Sequence, residues 1–218
     1  MKKRLLAWVL SFALALSLLP VGVLAAGSTV ASGTCGDNLT WVLDSEGTLT
    51  ISGEGEMDNY DSSATPWTYP YYCHDQIKSL VIEPGVTSVG AWAFAICENL
   101  TKVTLPNTIT SISDYAFSDC NNLKDITIPD SVKYIGSFAF SATNIEEITI
   151  PYGITKIEDG TFRYCNNLKK VNIPNSVKSI HNAFYNCENL TTIQLPDSVE
   201  SITGQAFSGC SNLESRSE

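Results

Sequence analysis

Apolar and polar residues alternate in short stretches that recur along most of this chain. Within residues 101–123, Val103 and Leu105 alternate with polar neighbours, which predicts a short strand with one buried face. Pro106 then ends the strand, because proline cannot donate a hydrogen bond to a sheet. A turn and a second short extended piece around Ile109 follow. The unit closes on a predicted helical turn, whose apolar positions are Ala116, Phe117, Cys120 and Leu123.

The unit repeats with gaps of 22 or 23 residues between equivalent positions. One unit cannot bury its own apolar edge, whereas stacked units bury a continuous core, so a fixed period predicts a solenoid. Two residue types mark the period in every unit. They are Phe94, Phe117, Phe140, Phe162, Phe184 and Phe207, and Pro84, Pro106, Pro129, Pro151, Pro174 and Pro196.

The solenoid is predicted to carry a parallel strand from every unit, with neighbouring strands about 4.8 Å apart. The inward side chains of these strands and the phenylalanine column form the predicted core. The inward strand pairs are Leu80/Ile82, Val103/Leu105, Ile126/Ile128, Ile148/Ile150, Val171/Ile173 and Ile193/Leu195.

Asparagine occupies one position of every unit, and two interpretations of this column are open. It could form a polar binding strip, or a ladder in which each amide satisfies backbone groups at a turn. A residue required in every unit indicates a geometric need, which favours the ladder. The column is Asn99, Asn122, Asn144, Asn167, Asn189 and Asn212.

The repeated string I-x-I-P-x-S-V-x-x-I-G-x-x-A-F-x-x-C-x-N-L resembles the bacterial leucine-rich repeat of the BspA type, also called the treponemal type. Residues 126–136 (ITIPDSVKYIG) fit it closely, and the resemblance covers residues 77–213. It implies a curved leucine-rich repeat solenoid of short parallel strands and short helical turns. It further implies a secreted or cell-surface protein that binds or adheres to host proteins, rather than an enzyme.

Three units depart from this pattern. The third has Thr143 in place of cysteine and is one residue short, the fourth has Thr161 in place of alanine, and the fifth is one residue short around His181. We expect the fold to survive these departures and the local surface shape to change there.

The residues before the repeats are predicted to cap the solenoid over 27–76. The runs 39–43 and 48–52 read as a β-hairpin with a loop of four residues. An aromatic-rich loop follows, and its rings either lie over the first unit or form a platform for sugars. These aromatic residues are Tyr60, Trp67, Tyr69, Tyr71 and Tyr72.

Residues 1–26 have the layout of a secretory signal peptide, with a basic start, an apolar stretch and small residues at the end. A retained membrane anchor is the alternative, and cleavage after Ala25 or Ala26 is the expectation. The mature chain should then be secreted or extracellular, without a membrane span. Residues 214–218 form a tail without a visible cap, which favours a fragment of a longer protein.

The chain has 13 basic and 23 acidic residues, giving a net charge of −10. Nucleic acids and anionic lipids require a basic footprint, so we expect neither as a partner. No nucleophile–base arrangement surrounds His74 or His181, so catalysis and cofactors are not expected. Calcium at the acidic residues 54–61 is conceivable, but the spacing lacks a recognised loop signature.

Five of the seven cysteines fall in one repeat column. A straight column cannot bring four sulfur atoms to one tetrahedral zinc ion, so we predict buried packing for these side chains. The other two, Cys35 and Cys73, flank the cap and are predicted to form a disulfide after export.

Two surfaces are candidate binding sites. The first is the outward side of the main strands, although threonine columns also simply suit strands. Its residues are Lys102, Thr104, Asp125, Thr127, Glu147, Thr149, Lys170, Asn172, Thr192 and Gln194. The second is a predicted aromatic stripe of Trp92, Tyr115 and Phe138, which either binds or fills a groove. The expected partner is a host or cell-surface protein, including glycoproteins; a glycan ligand and a structural spacer role are the alternatives.

Overall fold

The computed structural model describes residues 27–61, 65–67 and 74–214, so the predicted signal peptide lies outside the described residues. The described chain begins with three antiparallel strands, β1 (Thr29–Gly36), β2 (Leu39–Asp44) and β3 (Thr48–Gly53). The predicted hairpin is therefore confirmed as β2 and β3. The sequence did not predict β1, because its small and polar residues show no apolar alternation.

The cap and the solenoid share one sheet. Strand β3 pairs in parallel with the first repeat strand, β4 (Ser79–Ile82), so the cap covers the first unit by extending its sheet. A short 3-10 helix, His74–Gln76, leads into β4. The hydrogen-bonded strand ladder of the cap therefore passes directly into that of the repeats.

Each repeat unit forms one coil with two short parallel strands. The first strands of the successive coils are β4, β6 (Lys102–Thr104), β8 (Asp125–Ile126), β10 (Glu147–Thr149), β12 (Lys170–Asn172) and β14 (Thr192–Gln194). The second strands are β5 (Ser88–Val89), β7 (Ser111–Ile112), β9 (Tyr134–Ile135), β11 (Lys156–Ile157), β13 (Ser179–His181) and β15 (Ser201–Thr203). This arrangement confirms the predicted solenoid of parallel strands.

A spine of stacked phenylalanine rings runs through the core. Ring centroids of successive phenylalanines lie 5.4 to 5.7 Å apart, from Phe94 to Phe207. Trp67 begins this spine, because its ring stacks on Phe94 at 4.9 Å and its indole N–H donates to the Ala93 carbonyl over 2.9 Å. One aromatic side chain of the cap loop therefore lies over the first coil, which is the first of the two alternatives that the sequence left open. The predicted positions of Tyr69, Tyr71 and Tyr72 lie outside the described residues.

The segment predicted as a helical turn is a series of tight turns instead. Its backbone alternates between bonds inside the coil, such as Cys97 N–H to Phe94 O at 3.3 Å, and bonds to the next coil, such as Phe94 N–H to Ala116 O at 2.9 Å. Two positions per unit have positive φ, which a continuous helix excludes. Helical spacing of the apolar residues was thus misleading, because stacked turns bury the same positions.

Ile96 is one of these positive-φ residues, at φ 61°. A β-branched residue is strained in this conformation, whereas asparagine tolerates it and occupies the equivalent position at Asn186. We expect Ile96→Asn to raise the free energy of unfolding by about 1 kcal/mol, measured by urea denaturation. Ala95→Asn, at a neighbouring position without positive φ, is the control. Equal effects of both substitutions would show that strain at residue 96 is not being relieved.

The asparagine column is a structural ladder in which side chains bond to the preceding coil. Asn122 Nδ2 donates to the Glu98 carbonyl over 2.8 Å, and Asn189 Nδ2 donates to the Asn166 carbonyl over 2.7 Å. Asn167 donates instead to the side chain of Asn144. The ladder interpretation is confirmed, with some amides paired to each other rather than to the backbone.

The cysteine column has a hydrogen-bonding role in addition to the predicted packing. Cys165 Sγ lies 3.1 Å from the Phe140 carbonyl oxygen of the preceding coil, and its burial raises the pKa of the thiol to about 11. Where threonine replaces cysteine, the Thr143 hydroxyl donates instead to the Phe140 carbonyl of its own coil, over 2.9 Å. Threonine is tolerated at this buried position because its hydroxyl finds an acceptor inside the coil, although the bond to the preceding coil is lost.

The coil of β14 and β15 leaves part of its core open. Leu195 and Ile202 are 42% and 44% exposed, since no further coil among the described residues covers them. The sequence predicted Leu195 as a core residue, and this prediction is wrong because the side chain is not buried. In the part of the chain that the structure describes, no helix is long and apolar enough to cross a membrane.

Candidate binding face

The outward side chains of the first strands form one surface, called here the strand face. Its residues from Lys102 and Thr104 on β6 to Thr192 and Gln194 on β14 are exposed, while the residues between them point inward. This alternation follows from the period of two in a strand. Besides Thr192 and Gln194, the other eight strand-face candidates lie on this one surface. They are Lys102, Thr104, Asp125, Thr127, Glu147, Thr149, Lys170 and Asn172.

Of the two oppositely charged pairs that the strand register brings side by side on the strand face, only one forms an ion pair. Lys102 Nζ lies 3.1 Å from an Asp125 carboxylate oxygen, as adjacent positions on β6 and β8 allow. Glu147 and Lys170 are also adjacent in register, but the ion pair in this coil joins Glu146 and Lys169 at 2.7 Å. Lys169 lowers the pKa of the exposed Glu146 carboxyl. Exposed pairs of this kind contribute little to stability, so these side chains stay available to a ligand.

The strand ladder is interrupted between the third and fourth coils. One sheet ends at β8 and another begins at β10, and the second-strand sheets break at the same level, between β9 and β11. Within the described residues, no backbone hydrogen bond joins β8 to β10. The stack is therefore open on the strand side at this level.

The turn side stays closed at the same level. Phe140 N–H donates to the Thr161 carbonyl over 2.9 Å, and the Phe140 and Phe162 rings stack at 5.7 Å. The third unit is shortened between Phe140 and β10, since it has four residues, 142–145, where the second has five, 119–123. The fifth unit is shortened at a different place, after β13, and keeps its strand pairing. The prediction that the surface shape changes at this irregular unit is consistent with the interruption.

A cleft of about 500 Å³ lies where the ladder is interrupted, and it is called here the break cleft. Inward isoleucines of β8 and β10 lie at its floor, and polar side chains surround it. Its lining residues are Asn107, Ile126, Thr127, Ile128, Pro129, Asp130, Glu147, Ile148, Thr149 and Asn172. Asn107, Asp130 and the isoleucines were not among the sequence candidates, and only the short third unit could have indicated them.

A second cleft of about 600 Å³ continues along the strand face towards β14 and is called here the C-terminal cleft. It includes Lys170, Thr192, Gln194 and Glu214, and it shares Thr149 and Asn172 with the break cleft. The two clefts adjoin at these two residues and are together called here the groove. The candidates Lys102, Thr104 and Asp125 lie outside this groove, on the flat part of the strand face.

The predicted aromatic stripe forms on the turn side. The Trp92 and Tyr115 rings stack at 4.1 Å, and the Tyr115 and Phe138 rings at 4.9 Å. Phe138 then lies over Gly160, where a Cβ atom would come within 2.3 Å of the ring. The stripe thus covers both faces of Tyr115 and presents ring edges, which suits filling of a groove better than face-on stacking of a sugar.

The sequence raised two further possibilities for the cap, a calcium site and a disulfide. Glu54, Glu56 and Asp58 line a polar cleft of about 410 Å³, but no cluster of three or more potential metal-ligating residues occurs among the described residues. Cys35 is buried, whereas its predicted partner Cys73 lies outside the described residues, so the disulfide remains a prediction.

Comparison with protein families finds one match. The family described as BspA type Leucine rich repeat region matches this chain in 6 copies, over residues 68–183 and 180–217. No curated protein matches the chain.

Several solved structures share the fold. A leucine-rich repeat protein from Eubacterium ventriosum has a TM-score of 0.55 and 26% identity, over 82% of this chain and 64% of that one. A leucine rich cell surface protein from Faecalibacterium prausnitzii has a TM-score of 0.60 and 29% identity, over 84% and 53% of the two chains. The leucine rich repeat protein of T. pallidum has a TM-score of 0.64 and 25% identity, over 83% and 90%. This chain thus spans less than two thirds of the first two proteins.

Proposed function

Because this chain belongs to the BspA-type leucine-rich repeat family of bacterial repeat proteins, we propose that it acts at the cell surface or outside the cell by binding other proteins through its strand face. A signal-peptide-like start supports export, and one protein with a similar structure is described as a cell surface protein. The predicted partner is a host or cell-surface protein, and binding would not involve catalysis.

The observation that carries this proposal is the groove along the strand face. It joins the break cleft to the C-terminal cleft and presents side chains that the repeat does not require, such as Glu147, Lys170 and Gln194. The equivalent positions of other coils carry different residues, so the solenoid folds without these particular groups. Extended solenoid surfaces of this kind are common protein-binding sites.

The carbohydrate alternative has less support from the geometry. Its two candidate platforms were the aromatic stripe and the cap aromatics. The stripe rings cover one another, and Trp67 is 1% exposed beneath the cap. A glycan would need an open ring face, which neither Tyr115 nor Trp67 offers.

A binding screen with one groove variant tests the proposal. Residues 27–218 would be immobilised and exposed to matrix proteins, mucins and polysaccharides. We expect saturable binding of a protein ligand, and Asn172→Arg should weaken it at least about tenfold, because Asn172 lines both clefts. Asn121→Arg introduces the same charge at an exposed turn-side position and should leave the affinity unchanged.

Three outcomes would contradict the proposal. Equal loss of binding in both variants would place the ligand outside the groove or show a general charge effect. Binding of polysaccharide alone would favour the carbohydrate alternative. A folded protein that binds none of the ligands would favour the spacer role.

A further inference from the structure

The interruption of the strand ladder leaves backbone hydrogen-bonding groups without a strand partner at a level between two paired sets of strands. Successive residues of a strand direct their N–H and C=O groups to opposite neighbours. Asp125 N–H bonds back to the Thr101 carbonyl, so the groups of Ile126 face the gap. On the other side, Ile150 N–H bonds forward to the Asn172 carbonyl, so the groups of Glu147 and Thr149 face the same gap.

The break cleft therefore combines an open strand edge with an apolar floor. The floor consists of Ile126, Ile128 and Ile148, and the edge of β10 borders it. Its volume of about 500 Å³ falls within the range of about 300–1,000 Å³ that is typical of ligand sites. An open edge beside pockets for alternate side chains is the arrangement that binds an added strand.

The charges around the cleft indicate which strand would fit. Asp130 and Glu147 line it, and no basic side chain does. Neither carboxylate takes part in an ion pair among the described residues. A segment with lysine or arginine side chains would complement these charges and the net charge of −10.

We propose that the break cleft binds an extended polypeptide segment that carries basic side chains and pairs its backbone with the open edge of β10. This inference rests on the proposed function, since it specifies the partner chemistry of the same strand face. The shortening of the third unit just before β10 is then the feature that creates the site, because the ladder stays closed both at full-length units and at the fifth unit, which is shortened after β13 instead.

The decisive variant restores the missing length. Residues 142–145 (ATNI) are replaced with the sequence of residues 119–123 (DCNNL), which lets the third unit match the second. The probe is an eight-residue peptide of alternating lysine and threonine. Two matched peptides serve as controls, one with glutamate in place of lysine and one with proline in place of threonine, which removes alternate backbone N–H groups.

We expect the lysine–threonine peptide to bind the unaltered chain and the two control peptides to bind at least about tenfold more weakly. The length-restored variant should also bind it at least about tenfold more weakly, although the graft adds an acidic residue. Because non-specific attraction to an acidic protein would be kept or increased by the graft, a loss of binding identifies the cleft. Circular dichroism and urea denaturation would confirm that the variant folds.

A pair of charge variants tests the recognition of basic side chains separately. Asp130→Asn with Glu147→Gln should weaken peptide binding by about fivefold to tenfold. Glu188→Gln with Asp197→Asn removes the same charge at exposed positions outside the cleft and should have little effect. Hydrogen exchange at Glu147 and Thr149 should slow when the peptide is bound.

Unchanged peptide binding by the length-restored variant, or equal binding of the proline peptide, would overturn this inference. If a protein ligand binds the unaltered chain and the length-restored variant equally, the proposed function stands and the inference fails. If the peptide binds the cleft but no protein ligand binds the chain, the inference stands and the proposed function is contradicted.

Discussion

Replacement of Phe140 by alanine should lower the free energy of unfolding by about 3–5 kcal/mol and divide unfolding into two transitions. Phe140 is fully buried and stacks on Phe117 at 5.5 Å and on Phe162 at 5.7 Å. At this level neither β8 and β10 nor β9 and β11 are paired, so the ring stack and the hydrogen bonds between the turns hold the two halves of the solenoid together. Urea denaturation followed by circular dichroism and hydrogen exchange would measure both effects.

Phe117→Ala is the matched control for this prediction. Phe117 is equally buried and stacks on two phenylalanine rings, but its coil is joined to both neighbours by intact strand pairing. It should lose a similar free energy and still unfold in one transition, because coupling between coils is a sum of neighbour interactions. A single transition in both variants would show that the interruption does not weaken coupling between the halves.

Replacement of Trp67 by alanine should cost about 3–5 kcal/mol, concentrated in the cap and the first coil. The Trp67 ring closes the end of the phenylalanine spine, contacts Trp41 and Tyr60 edge-on at 6.1 Å, and donates to the Ala93 carbonyl over 2.9 Å. Without it, Phe94 would face solvent or an empty space. Hydrogen exchange should therefore accelerate most strongly in β2, β3 and β4, and much less in β12 to β15.

Two variants separate the ring contact from other effects. Trp67→Phe keeps an aromatic ring over Phe94 but loses the indole hydrogen bond and part of the buried ring volume, so it should cost less than Trp67→Ala, about 1–3 kcal/mol. Trp92→Ala removes a tryptophan that is only half-buried and should cost less than Trp67→Ala. A uniform increase of exchange along the whole solenoid after Trp67→Ala would contradict a local capping role.

The period of the sequence was sufficient to predict the parts of the fold that every coil shares. Ile148 on β10, the Asn122 amide and the Phe117 ring each lie where their column placed them. Stacked coils repeat the same environment at each level, so the same residue type packs well at the equivalent position of every coil. The hairpin of β2 and β3 was also predictable, because its alternation and its turn are local features.

Other features depended on distances that a repeat pattern does not contain. The turns after β5 and β7 replace the predicted helical turn, because hydrogen bonds between coils compete with those inside a helix. Glu146 rather than Glu147 reaches a lysine of the next coil, since side-chain direction decides the pair. The burial of Trp67 followed from its place above Phe94, which the sequence around it did not specify.

The sequence by itself determined that this chain stacks repeated coils, which residues face the core, and that irregular units would alter the surface. Only the tertiary structure decided that the shortened third unit opens the strand side between β8 and β10 while the turn side remains bonded. The physical reason is that periodicity fixes which residues stack, whereas the separation of two coils depends on whether their backbones reach hydrogen-bonding distance. One missing residue between Phe140 and β10 leaves the Phe140 ring in its stack, while β10 lies apart from β8.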